Sequence, residues 1–170
     1  MTKVYAPEKL IAQARKLAAD YRRAMGKPLP GVSSEIAEHD AIRLLGLEPM
    51  PVGSGGGYQA VDPNRESKRI QIKSRAIFDE SKGGQRIGQL NIDGDWDSVV
   101  LVLMDEDYEP YEIYEAERAD IEEFSAGISK SRAKRGAMSV ARFKIIGRLA
   151  WTREDGLEPE VWDNSMDAGS

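Results

Sequence analysis

The sequence contains no cysteine and a single histidine, His39. Without thiols there are no disulfides and no thiolate metal sites, and one imidazole argues against a histidine-based zinc site or a serine–histidine–aspartate triad. Any metal ion would have to be held by oxygen, which suits magnesium or manganese, the ions of phosphoryl chemistry. Long apolar runs are missing too: nothing approaches the roughly eighteen residues of a membrane span. The opening MTKVYAPEK also lacks the charged-then-apolar build of an export signal. The expectation is a cytoplasmic protein with no membrane partner.

What is present fits one domain: 170 residues, 41% of them hydrophobic, enough for one ordinary core. We place that domain at residues 1–153 and read 154–170 as a partly frayed acidic tail. The net charge of −5 argues against a protein that simply coats nucleic acid, but it averages over an asymmetry. Asp105 to Glu123 holds ten acidic residues against one arginine, whereas Ser129 to Arg148 holds seven basic residues and no acidic one. A basic segment of this kind can track phosphates, and Lys130, Arg132, Lys134, Arg135, Arg142 and Lys144 are its candidate contacts. It is equally readable as a solvated face complementing the acidic stretch.

Leu10, Ala14, Leu17, Tyr21 and Ala24 recur at helical spacing between Pro7 and Met25, with Gly26 and Pro28 as the stop. Ser33 and Ser34 are candidate caps for a second helix carrying Ile36, Ala37, Ala41, Leu44 and Leu45 and ending at Gly46, with Glu35 and Glu38 in its first turns. A glycine loop, Gly53 to Gly57, precedes a hairpin formed by GYQAVDPNRESKRIQIKSR. A loop follows, then the apolar run Ser98 to Met104, which predicts a strand covered on both faces. A strand at Tyr111 to Tyr114, a short helix at Glu117 to Phe124 and a helix capped by Ser139 and closed at Gly147 complete an α/β order with a mixed central sheet flanked by helices.

The glycine loop is not a P-loop or a dinucleotide fingerprint, because Tyr58 stands where a third glycine belongs and the glycines precede a strand. Gln71 and Lys73 carry more information. The period of a strand puts both on the face opposite Ile70 and Ile72. A lysine beside a bound divalent ion can hold an attacking water or stabilise charge on phosphate, and an amide oxygen can serve as a neutral ligand.

Glu35 on a helix opened by a glycine, the loop, and QIK on the second hairpin strand together resemble the restriction-endonuclease-like, or PD-(D/E)xK, nuclease superfamily. GVSSEIAEHDAIRLLG is similar to the glycine-then-glutamate helix of archaeal Holliday junction resolvases, and QIK to the QxK variant of methyl-directed restriction endonucleases. The likeness spans Gly31 to Tyr114. It implies a restriction-endonuclease-like mixed sheet, hydrolysis of DNA phosphodiesters with Mg2+ or Mn2+, and a two-fold homodimer. Lys73 would assist the nucleophile, and Glu35, Asp62 and Gln71 would hold the ion. The sequence departs from the pattern at Gln59, which stands where relatives carry the metal-binding aspartate. Asp62 could replace it through a bulge, since one inserted residue exchanges the two faces. The alternative is a catalytically degenerate module of the same fold that binds nucleic acid or a protein partner. A third reading is a structural protein whose acidic stretch docks onto a basic surface.

Overall fold

The computed structural model describes residues 6–51, 53–79, 84–88, 90, 92–126 and 138–159. Helix α1 runs over Pro7–Met25, as the apolar spacing predicts, and closes where the Gly26 N–H donates to Arg22 O (2.8 Å). Helix α2 spans Val32–Leu45. It begins earlier than the serine pair suggests, because Gly31 adopts a left-handed φ of 83° that turns the chain into the helix. Neither serine acts as the cap: Ser34 Oγ donates to Gly31 O, leaving the helix without a side-chain cap.

Seven strands form one sheet whose spatial order is the chain order: β1 (Glu48–Pro49), β2 (Ala60–Asp62), β3 (Lys68–Ala76), β4 (Ser98–Met104), β5 (Pro110–Glu117), β6 (Arg148–Thr152) and β7 (Gly156–Leu157). Neighbours are antiparallel except β3 and β4, which are parallel. This is the expected mixed sheet with flanking helices, which include α3 (Arg118–Ala126) and α4 (Val140–Ile146).

All seven residues of β4 are buried. They alternate between two cores, Val100, Val102 and Met104 packing with α1 and α2, and Val99, Leu101 and Leu103 packing with Trp96, Ile121 and Phe143. Each fully buried aliphatic side chain contributes roughly 1.5–3 kcal/mol, so this strand is the spine of the fold. The segment between β3 and β4, read as a loop, is irregular where described, yet its Ile87 and Trp96 are 3% and 1% exposed and help to build the second core. On the other face Arg15 clamps α1 to α2, donating to both oxygens of the buried Asp40 (2.8 Å each) and to Tyr108 O.

Ser139 caps α4 as expected, accepting from Arg142 N. The chain then leaves the helix at Gly147 and enters β6 at once. A Cβ at Gly147 would lie 2.8 Å from Glu115 O, so β6 meets β5 this closely only with glycine there. The sheet continues to Leu157, past the boundary at residue 153 that composition suggests.

Candidate nucleic-acid interface

Register fixes what the hairpin can present. Ala60 pairs with Ile70, Val61 with Arg69 and Asp62 with Lys68. The pairing is continuous, without the bulge that would swing Asp62 onto the face of Gln71. Asp62 therefore shares the face of Ala60 and Ile70, and its oxygens are both taken: Oδ1 accepts from Asn64 N (2.9 Å) and Oδ2 from Arg65 Nε (2.7 Å). Arg65 reaches on to Glu115 with a bidentate pair (2.8 and 3.0 Å), and Arg148 and Ser98 complete the shell of that buried carboxylate. Burial alone would push the Glu115 carboxyl up; the hydrogen bonds from Arg65 and Ser98 and the charges of Arg65 and Arg148 hold it below the usual range. Asp62 thus belongs to a closed ionic cluster that ties the hairpin turn to β5.

Gln71 and Lys73 lie on the opposite face, as the period of the strand predicts. Their partners on β4 are Val99 and Leu101, both in the second core. Gln71 is only 4% exposed, and its Oε1 has no hydrogen-bond partner among the described residues. Lys73 is half-buried, and burial lowers its pKa; no carboxylate among the described residues raises it again. A buried amide oxygen and a partly desolvated ammonium are costly to leave unpaired.

Glu35 sits on α2, which packs on the other core. With Glu38, Met50, Ser54, Tyr58 and Gln59 among others it lines a cavity of about 340 Å³ of which Gln71 and Lys73 are not part. Burial and then the neighbouring charge of Glu35 push the Glu38 carboxyl up, and no cation closes either glutamate among the described residues. The loop is pinned at Gly56, whose carbonyl accepts from Asp95 N (2.7 Å).

Gln59 links this cavity to β3. Its backbone N–H donates to Ile70 O, and its side-chain Oε1 accepts from Ile72 N (2.7 Å). The amide oxygen thus takes the position of a ladder carbonyl where β2 has not yet begun. It is occupied by the backbone and not held out as a ligand. Among the described residues no three His, Cys, Asp or Glu side chains come together as a metal-binding group. Of the expected oxygen ligands, Asp62 is closed by Asn64 and Arg65 on the other face and Gln71 lies outside the cavity, so Glu35 stands there with Glu38 alone among the carboxylates of the described residues.

Lys130, Arg132, Lys134 and Arg135 lie outside the described residues. Arg142 stacks over Phe124 (5.8 Å), and Lys144 is engaged by Glu112 (3.5 Å) and the Tyr114 ring. The acidic stretch is closed largely within the chain: Asp105 pairs with Arg153, Asp107 with Arg23, Glu115 with Arg65 and Arg148, Glu117 with Lys68 and Glu122 with Arg118. No family model matches the chain, and no curated protein matches it. No helix of the described residues is long and apolar enough to cross a membrane.

Proposed function

We propose that this chain is a nucleic-acid-binding module of restriction-endonuclease-like architecture in which the hydrolytic site has decayed, and that Gln71 and Lys73 receive a phosphodiester of the bound strand. One observation carries the reading: on a central strand, beside a fully buried neighbour, an ammonium and an amide oxygen stand two residues apart with no internal partner among the described residues. A phosphate gives the ammonium its counter-charge, and a base or sugar donor beside it gives the amide oxygen a hydrogen bond. The fit of the carboxylates supports decay. Asp62 is neutralised by Arg65 on the far face, and Gln59 completes the ladder where relatives hold an aspartate. Nucleic-acid binding by Lys130 to Arg135 belongs to the same proposal.

The competing reading, a Mg2+- or Mn2+-dependent DNA nuclease, draws support from the lowered pKa of Lys73, since a desolvated lysine beside a scissile phosphate suits proton transfer. Three proteins assayed for manganese binding by calorimetry and for nicking of plasmid DNA separate the two: wild type, Gln59→Asp and Asp62→Asn. Decay predicts a nearly inert wild type, no loss of DNA affinity in Asp62→Asn, and tighter manganese binding in Gln59→Asp, where a charged ligand is restored. A wild type that nicks efficiently and loses that activity in Asp62→Asn, with the fold intact by circular dichroism, overturns it.

A further inference from the structure

The alternation that brings Gln71 and Lys73 to one face of β3 brings Arg75 there as well. β2 ends its pairing with β3 at Ile70, and Gln59 Oε1 takes the N–H of Ile72, so among the described residues β3 beyond that point has a strand neighbour only on the β4 side. Along the uncovered edge lies a second cavity, of about 380 Å³, lined by Ser33 of α2, Ser74, Arg75, Phe78, Gln85 and Tyr108 among others. No acidic side chain lines it among the described residues, in contrast to the cavity of Glu35 and Glu38. Arg75 is held by a neutral partner: its Nε donates to Gln85 Oε1 (3.2 Å), which aligns the guanidinium, and no carboxylate among the described residues meets its two terminal nitrogens.

Resting on the reading of Lys73 as a phosphate contact, we infer that Arg75, oriented by Gln85 at the cavity that Ser33 and Ser74 also line, forms a second subsite that takes the next phosphate of the same nucleic-acid strand. Residues two apart on a strand are displaced by about 6.7 Å, a step of the order of the separation between successive phosphates of one strand. The planar fork suits a phosphate, and hydroxyl donors complete its shell. A site built as a row along one strand edge engages a single backbone, so the ligand class is a single strand or the displaced strand of a duplex. Gln85 is a positioning residue, acting through Arg75.

The test is fluorescence-anisotropy titration of a labelled twelve-nucleotide single strand across a salt series with wild type, Lys73→Ala, Arg75→Ala, Arg75→Lys and Gln85→Ala. Arg75→Ala is expected to bind about tenfold more weakly, the low end for a hydrogen bond to a charged group. Its log–log salt slope should be shallower by about 0.7, the value for one single-strand phosphate. Arg75→Lys should keep the slope but lose affinity, because charge without the fork is retained, and Gln85→Ala should do the same. Arg75 is exposed, so its two variants are expected to fold, and unchanged melting temperatures check this; circular dichroism checks the fold of Lys73→Ala and Gln85→Ala. If Lys73→Ala weakens binding and flattens the slope while Arg75→Ala alters neither, the second subsite is wrong and the phosphate at Lys73 stands. If Lys73→Ala changes nothing, the functional reading beneath the subsite fails, and the subsite with it.

Discussion

Along β3 the first two cations, Lys68 and Arg69, are each closed by a carboxylate, Glu117 and Asp97, while the next two, Lys73 and Arg75, meet none among the described residues. The same contrast holds across the sheet. On one face the hairpin turn is locked by Asp62, Arg65, Glu115, Arg148 and Ser98, a cluster in which every charge has a partner. On the other face Gln71 and Lys73 are withdrawn from water without one. Paired charges in this chain hold strands together. The unpaired row begins where β2 ends its pairing with β3 and runs from the buried Gln71 through the half-buried Lys73 to the exposed Arg75. Carboxylate and lysine in one hairpin therefore do not make one site, because the pleat sends them to opposite faces.

The largest effect expected from breaking this comparison is at Glu115. Removing its charge leaves Arg65 and Arg148 facing each other, so Glu115→Gln should lower the unfolding free energy by about 3 kcal/mol in urea titrations, as breaking a buried ion pair does. Because the folded carboxyl is held below its ordinary value, wild type carries this stabilisation above the unfolded pKa near ~4.3 and loses it as pH falls through the folded value. The variant should lose that share of its acid sensitivity. A variant as stable as wild type at neutral pH would remove the distinction between the two faces.

Lys73 should respond in the opposite direction. A half-buried ammonium with no partner opposes folding, so Lys73→Met should raise the melting temperature by a few degrees, the shift that about 1 kcal/mol produces in a chain of this length, while nucleic-acid affinity falls. A drop in stability would mean that Lys73 is bonded within the fold.

The smallest effect lies at Glu38, whose raised carboxyl reflects burial and then the charge of Glu35. A group whose folded pKa is raised costs stability above that pKa and nothing below its unfolded value. Glu38→Gln should therefore melt slightly higher than wild type at pH 7 and at the same temperature near pH ~3.5. Equal melting at both values would show that the cavity already shields the glutamate.

Much of this was legible in the residues, and the exceptions have physical causes. The helical spacing between Pro7 and Met25 marks α1, but the residues that helix buries are Ala18 and Ala19, with Leu10 and Leu17 of the apolar stripe left exposed, whereas the unbroken run from Ser98 to Met104 specifies β4 because its burial is two-sided. Strands β1, β6 and β7 carry little pattern of their own and exist through pairing with neighbours, which periodicity within a segment does not report. The opposite faces of Asp62 and Gln71 follow from alternation about a turn centred at Arg65. What alternation cannot say is that Arg65 reaches Glu115, fifty residues away in sequence. Arg75 was readable in QIKSR as the third member of the Gln71–Lys73 row. Its cavity was not, since Ser33, Gln85 and Tyr108 come from three distant segments.

The strand order also carries a kinetic consequence. With every strand next to its neighbour in sequence, the β2–β3 hairpin and the β4–β5 hairpin can close locally, at low loop-closure cost. The parallel seam between β3 and β4 is different: it closes across the 77–97 connection, whose Ile87 and Trp96 gain burial only when the second core forms. Docking at that seam is thus entropically more demanding than closing either hairpin, and the pairs Ile72–Val100 and Lys73–Leu101 lie on it. The sheet face that carries Gln71 and Lys73 is thus completed only when a non-local boundary closes.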